Sequence, residues 1–558
     1  MSIWTSWNTA LTSRIGALPA RRVTWGLVLV FSVWVVLDVF MFRLTGGLAQ
    51  ASYDAMVRAR LVAAAPDPRL VIIDIDEASL SRMGKEFGRW PWPRDTLATV
   101  LEHIERQQPA AIVWDVLFSD SDRISPGGDA AFDAAARRST HSHFSVVRLP
   151  SANDTASQIT SAALPGLWVA PPSTPGVNGP APVPQSGAVA ATVALIPPAL
   201  PAVAGSRLGF NNGYVDRDGV LRRYRSIEAL ADGNAIQSIA MSVLSTVDPV
   251  AYQRQLANLR DLSKPRDELI AWRKHAAAYP HISFADVFAQ AEGGQPLKPV
   301  PAFAGRVVII GSTAPSLHDV HPTPLSAMQA GVDSLATMVD NALNDRHINE
   351  LPRWLQAGLA IALCAGLALW VQFKSVASLA PALVAMPVAL LLVSYLSLNG
   401  FPLFLDLHLA AALALLFLAV LRYWSTLRQD HWCSPPPRSG QPLAIWPWER
   451  STAWLEGPLD RLIDAVERHA PTCRVVVCDT SVSWPSTLRW PELARFAAVV
   501  GPADAMRVAR GKLEPALRRL ARRSGEPLLL DSHPEREILA KHIFMAWSTL
   551  QKTDTTEP

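Results

Sequence analysis

Two regimes of hydrophobic patterning share the chain. Residues 23–42, 354–373, 376–398 and 403–421 are almost purely apolar. Residues 354–421 carry only Lys374 and Asp406 as charged side chains, and residues 23–42 only Asp38. Runs of this length match the roughly 30 Å of hydrocarbon that a helix must cross. The pattern predicts four transmembrane helices.

Between the first two runs the pattern changes to short β-branched blocks and helical spacing. Leu70-Val-Ile-Ile-Asp-Ile-Asp-Glu77 reads as a strand ending in acids. Asp95 to Gln107 places Leu97, Val100, Leu101 and Ile104 on one helical face. Residues 110–118 and 305–311 read as strands and 332–343 as a helix. Continuous apolar strands alternating with helices predict a parallel sheet covered on both faces. Residues 150–205 are dense in Pro, Ala, Ser and Gly and read as an irregular insertion. Arg217-Asp-Gly219 is a hairpin turn signal.

After the fourth run, a linker over 422–441 precedes a unit at 442–552. Its pattern predicts strands at 474–479, 497–500 and 526–531 and helices at 459–466, 487–496, 504–523 and 534–551. This is an α/β alternation, on the plan of a small doubly wound sheet. The fold class is therefore a multi-domain membrane protein: an α/β external domain over 43–353, four transmembrane helices and a small C-terminal α/β domain.

Composition sharpens this picture. The 558 residues are 49% hydrophobic and 18% charged, against roughly 25% charged in soluble proteins. A single soluble globule is excluded. The net charge is +3, so no nucleic-acid partner is expected. Residues 43–353 hold 28 basic and 30 acidic side chains, and 422–558 hold 19 and 16. Ordinarily charged domains thus flank nearly charge-free spans.

Basic residues set the orientation. Arg14, Arg21 and Arg22 precede the first run, Lys374 separates the second from the third, and Arg422 and Arg428 follow the fourth. The Asn399-Gly400-Phe401-Pro402 connection is uncharged. Both termini are expected in the cytoplasm, with residues 1–22 as an N-terminal tail and 43–353 outside. No A-x-A site follows the first run, which reads as an uncleaved anchor. Asp38 and Asp406 lie near the outer ends of their runs, where each reaches water or an interhelical hydrogen bond. Trp25, Trp354, Tyr423 and Trp424 mark span ends. Ala357-Gly358 and Ala365-Gly366 offer small surfaces for bundle packing or a homodimer. The cysteines are Cys364, Cys433, Cys473 and Cys478, so the external domain has no disulfide. Cys473 and Cys478 fall on opposite faces of a strand, as buried structural thiols do.

The order of motifs resembles the CHASE type-2 domain, an extracellular sensor module of bacterial signalling receptors. The resemblance rests on Tyr53-Asp54, Val71-Ile-Ile-Asp-Ile-Asp-Glu-Ala-Ser-Leu80, Gly88-Arg-Trp-Pro-Trp-Pro-Arg94, and Ile112-Val-Trp-Asp-Val-Leu-Phe118 with Asp120 and Asp122. It continues through Leu208-Gly-Phe-Asn211, Asp216-Arg-Asp-Gly219 with Arg222, Gly305-Arg-Val-Val-Ile-Ile-Gly311 and Asp319-Val-His-Pro-Thr-Pro324. It covers roughly residues 45–425. The family places three membrane helices after the sensor and usually ends in a cyclase, a diguanylate cyclase or phosphodiesterase, or a kinase. This chain departs from that: it has no Gly-Gly-Asp/Glu-Glu-Phe, no His-Arg-Asp with Asp-Phe-Gly and no phosphate loop.

Asp74 and Asp76 sit at one strand end and Asp115 near the end of another. Ligands favour the crevice beyond such carboxyl ends. Trp90 and Trp92 offer flat apolar faces, Arg89 and Arg94 can fork an anion, and Asp319 is carried over from the resemblance. These eight residues are the ligand-binding candidates. The alternative is that Pro91 and Pro93 stiffen a loop whose tryptophans pack on the sheet, with Arg94 paired to Asp76 or Asp115. His318-Asp319-x-His321 lacks a third metal ligand and reads as a polar loop, and no cofactor or metal is expected.

In the tail, Arg507, Arg510, Lys512, Arg518, Arg519, Arg522 and Arg523 form a basic helical stretch, with Val508, Leu513, Leu517 and Leu520 as its apolar side. The leading expectation is a sensory receptor of the bacterial inner membrane. It detects an unidentified extracytoplasmic ligand and signals through a noncatalytic tail that binds a cytoplasmic partner protein. A second reading makes the tail a divergent nucleotide-binding or catalytic domain using Asp479, Asp504 and His533. A third is a membrane scaffold of an envelope complex.

Overall fold

The computed structural model describes residues 15–122, 125–160, 163–169, 192–230, 235–258, 267–373, 380–436, 441–450, 456–477, 493, 495–518, 522–532 and 534–552. Two compact units result: Gly46–Leu351 with Ser394–Asp406, and the remainder. In the remainder, α1 (Ala20–Leu37) ends in a π-type turn over Asp38–Phe42. Asp38 closes that turn locally, accepting hydrogen bonds from the Leu44 N–H at 2.7 Å and from the Thr45 hydroxyl.

The first unit opens with α2 (Gly46–Arg58) and continues through β1 (Leu70–Asp74), α3 (Glu77–Phe87) and α4 (Arg94–Glu105). Its further strands are β2 (Ala111–Trp114), β3 (Ser142–Arg148), β4 (Arg207–Phe210), β5 (Leu221–Arg225), β6 (Asp267–Ile270), β7 (His281–Ser283), β8 (Val307–Gly311) and β9 (His347–Glu350). Helix α5 (Gly331–Leu343) precedes β9. Six strands pair in parallel in the order β7-β1-β8-β2-β3-β4. The expected parallel sheet is present. Side chains alternate across a strand, and β1 uses both directions. Val71 and Ile73 enter one core with Leu97, Val100, Leu101 and Ile104 of α4. Leu70 and Ile72 enter the other with Val332, Leu335, Ala336 and Val339 of α5. Burying each of these Val, Leu and Ile side chains stabilises the fold by about 1.5–3 kcal/mol.

A second sheet contains β6, β5 and the Tyr214–Val215 strand, which meets β5 across the predicted hairpin turn, with Gly219 at φ +79°. Its other side is β9 followed by β10 (Leu403–Phe404), paired in parallel through Asn349–Leu403 and Glu350–Phe404. Residues 403–407, expected to open the fourth span, are therefore not helical. The hydroxyls of Ser397 and Ser394 donate to the Leu403 and Leu405 carbonyls, and the Asn349 N–H donates to the Pro402 carbonyl at 2.9 Å. Those bonds hold the segment extended.

In the remainder, α6 (Arg353–Phe373), α7 (Ala380–Gly400, up to Val393) and α8 (His408–Trp432) join α1. The four stretches Ala20–Phe42, Arg353–Val371, Pro381–Gly400 and His408–Trp432 are long and apolar enough to cross a membrane. Val28, Phe31 and Val35 pack with Ala360, Cys364 and Leu367 and with Ala414, Phe417 and Leu421. A side chain at Gly358 or Gly366 would meet nothing within 4 Å, so within this chain these glycines are not close-approach points. Ala357 and Ala360 fill that role on the buried face. Trp424 is also buried, its Nε1 donating to the Ile15 carbonyl at 3.2 Å, whereas Trp354 and Tyr423 are exposed.

The C-terminal region comprises β11 (Leu443–Glu449), α8's successor α9 (Glu456–His469), β12 (Arg474–Val477), β13 (Phe496–Pro502), α9's counterpart α10 (Ala503–Arg518), β14 (Leu528–Leu530) and α11 (Arg536–Lys552). Among the described residues every pairing in its sheet is antiparallel, which corrects the doubly wound expectation. The unpredicted strand β11 takes three partners in this sheet, and β12 and β13 also pair antiparallel with each other. Pro447 within Trp446-Pro447-Trp448 hides β11, because proline argues against a central strand. The buried side of α10 is Met506, Ala509, Leu513 and Leu517, while Val508 is 78% exposed and does not belong to it. Burial pushes the Cys473 thiol up to about 11, as a structural cysteine requires. Lys374, Cys478, Arg519 and Leu520, and most of the predicted 487–496 helix, lie outside the described residues.

Candidate functional site

Strands β1, β8 and β2 lie side by side, so their carboxyl ends form one edge. Asp74 ends β1, Gly311 ends β8, and Asp115 follows β2. Asp74 is buried and fully engaged. Its carboxylate accepts the Thr313 N–H at 2.9 Å and the Thr313 hydroxyl at 2.6 Å. It also meets His281 Nδ1 at 3.0 Å, while His281 Nε2 lies 3.1 Å from Asp333 at the start of α5. Burial alone lowers the His281 pKa; hydrogen bonds to Asp333 and Asp74 outweigh it and raise it to about 9. The ring is an imidazolium bridge between two carboxylates.

Asp115 differs. It accepts one hydrogen bond from the Asn211 side-chain amide, just past β4, at 2.8 Å. Burial, then the charge of Asp319, push its pKa up to about 7. Asp319 reaches the edge because residue 331 is glycine: a Cβ there would lie 2.4 Å from its carboxylate. Its other neighbour is His321, at 3.4 Å.

The remaining candidates have other surroundings. Asp76 caps α3, accepting the Ser79 N–H at 2.6 Å. Trp92 is buried 5.3 Å from Phe284, and Trp90 packs edge-on against Trp92 at 5.0 Å. Arg94 bonds to Asp129 and to the Asp120 carbonyl, so its partner is neither Asp76 nor Asp115. Arg89 is exposed. The structure thus gathers Asp74, Asp115 and Asp319 at one edge, while the tryptophan–arginine loop packs on Phe284 just past β7 and on the segment that follows β2. His281 and Asp333 escaped sequence reasoning because each lies far from its partners along the chain.

Other motif residues combine away from this edge. Arg222, 2% exposed, holds Asp54 at 2.7 Å, Asp216 at 2.9 Å and Asp218 at 2.7 Å. This ion-pair knot ties α2 to the Tyr214–Arg225 hairpin. In the tail, Asp504 is exposed and paired with Arg507 at 3.3 Å. Asp479 and His533 lie outside the described residues.

The family model of the CHASE2 domain matches residues 27–371. The chain belongs to the CHASE2 domain family. CHASE2 is an extracellular sensor domain, and with four apolar helices it indicates a membrane protein. The match runs from within α1 into α6, so it includes the carboxyl edge and the Arg222 knot. No curated protein and no solved structure matches the chain.

Proposed function

We propose that this protein is a sensory receptor of the bacterial inner membrane, with its CHASE2 domain periplasmic and both termini cytoplasmic. The observation that carries the proposal is the β9–β10 pairing. The segment joining the third and fourth apolar stretches contributes a strand to the sensor's own sheet. Around it, Asn399 accepts the Leu61 N–H at 2.8 Å, Tyr395 donates to the Ala59 carbonyl at 2.8 Å, and Tyr53 packs edge-on against Phe404. A change in the sensor therefore acts on α2 and on the end of α7 together, both chain-linked to apolar helices. The output is a partner protein bound by the 442–552 domain, and the eight ligand candidates reduce to Asp74, Asp115 and Asp319.

Hydrogen exchange of the full chain in lipid nanodiscs tests the coupling. Raising the pH from 5 to 8 ionises Asp115 and, after correction for the intrinsic base-catalysed rate, is expected to lower protection at residues 111–115 and at 403–406 alike. Intrinsic-rate-corrected protection at 403–406 that ignores the pH step would remove the coupling. For topology, Ser151→Cys reacts with an impermeant maleimide in intact spheroplasts and Lys541→Cys only after lysis. The reverse pattern overturns the orientation.

A further inference from the structure

We propose that the sensor domain docks on a phospholipid surface through the exposed face of α2 and the Leu61-Val62 loop, at the boundary of the bilayer that α7 enters. The proposal goes beyond the receptor reading and does not depend on it. It needs only that the apolar helices span a membrane.

The depth of the loop follows from α7. Val388 and Leu392 are more than half exposed on this apolar helix, where lipid covers them. Helical residues three and four apart share one face, so Tyr395 and Asn399 continue the row that Val388 and Leu392 begin. Those two polar members hold the sensor. Tyr395 donates to the Ala59 carbonyl at 2.8 Å, and the Asn399 side-chain oxygen accepts the Leu61 N–H at 2.8 Å and the Val62 N–H at 3.3 Å. Asn399 is the last residue before Gly400, where the apolar stretch ends. The loop therefore sits where a lipid-facing row reaches the edge of the bilayer.

The side chains at that depth suit lipid. Leu61 is 76% exposed, Val62 65%, and Phe401, just past the span, 70%. On α2, Tyr53 and Val57 are buried and Asp54 is bound to Arg222. The exposed positions of the helix are Gly47, Leu48, Ala51, Ala55 and Arg58. A helix face turned to water carries charged and polar side chains; this one is apolar until its last residue. Residues 55–66 and 394–402 contain Arg58 and Arg60 and no acid. Lys274, whose Nζ donates to the Arg60 carbonyl at 2.8 Å, adds a third cation. Apolar side chains rimmed by cations match acyl chains beneath phosphates. A two-fold pairing of this face with a second copy would set each cation against its own counterpart, with no acid in these segments to offset it.

Nitroxide labelling of the full chain in phosphatidylethanolamine–phosphatidylglycerol nanodiscs tests this. Leu61→Cys and Ala55→Cys are labelled beside Ser151→Cys, an exposed position of the same domain, and the wild-type chain gives the background from its own cysteines. Each variant must keep the wild-type melting temperature; Val62→Cys and Ala51→Cys replace one that does not. Power saturation compares access of oxygen, which concentrates in lipid, with access of a nickel chelate, which stays in water. The oxygen-to-nickel ratio at 61 and 55 is expected to exceed that at 151 by about threefold or more. A ratio at either position equal to that at 151 would overturn the proposal. Exclusion of both reagents, with or without spin–spin broadening between copies, would overturn it too, since protein and not lipid would then cover the face.

Discussion

Asp74 and Asp115 stand on either side of β8, at one edge of one sheet, yet their surroundings differ in kind. Asp74 shares an imidazolium with Asp333 and takes two donors from Thr313. Asp115 has one amide donor and a like charge nearby. The first end is compensated by an imidazolium and two hydrogen-bond donors. The second end holds a carboxyl whose ionisation is poised near neutrality. Equivalent topology therefore produces one locked end and one titrating end, and the difference lies wholly in the partners that distant segments bring.

Removing His281 should break the contrast most strongly. His281→Ala strands two buried carboxylates, a change that costs about 3 kcal/mol in comparable settings. Its melting temperature near pH 6 should fall by roughly 4–5 °C. The folded-state pKa of His281 is raised, so its contribution is full below the ordinary histidine value near 6.5 and is lost as the pH rises through about 9. The mutant's deficit should shrink across that window; a deficit constant with pH would refute the bridge.

The opposite sign is expected at the other end. The raised pKa of Asp115 means that the folded state holds a proton the unfolded chain has released. Wild-type stability should then fall as the pH rises from about 4 to about 7. Asp115→Asn removes that slope and should stabilise the protein by about 1–3 kcal/mol at pH 8 and little at pH 4. Melting curves across pH 4–8 measure it, and a mutant less stable at pH 8 than the wild type would contradict the assignment.

Smaller changes sharpen the comparison. Thr313→Val deletes one donor to Asp74 and should cost about 1 kcal/mol, read as a modest drop in melting temperature. Asp319→Asn removes the like charge beside Asp115. The midpoint of the Asp115-dependent stability change should move down by less than about one pH unit, and added salt should mimic part of that shift.

Much of the fold is legible in the residues themselves. The purity of the four apolar runs, the apolar strands of 70–74, 111–114 and 307–311, and the face Leu97, Val100, Leu101 and Ile104 all follow from local pattern. So does the position of Asp74 and Asp115 at strand ends. Three features were hidden for physical reasons. β11 is masked by Pro447, β10 lies inside a stretch apolar enough to pass for membrane helix, and Val508 shares the helical stretch but not the buried face. The site was half legible. The acids could be found, but their environments depend on His281, Asp333, Asn211 and Thr313, none adjacent to them in the chain.

What the chain determines by itself is everything that depends on near neighbours. Helical and strand periodicity, span length and the charge bias around spans are summed over short windows, so composition and order suffice. Tertiary structure alone decided which carboxylate is paired and which titrates, because desolvation and Coulomb energy depend on atoms within a few ångströms, whatever their distance in sequence. It also decided that residues 403–404 belong to the sensor's sheet, since a strand of two residues has no local signal and exists only through the partner strand that completes its hydrogen bonds.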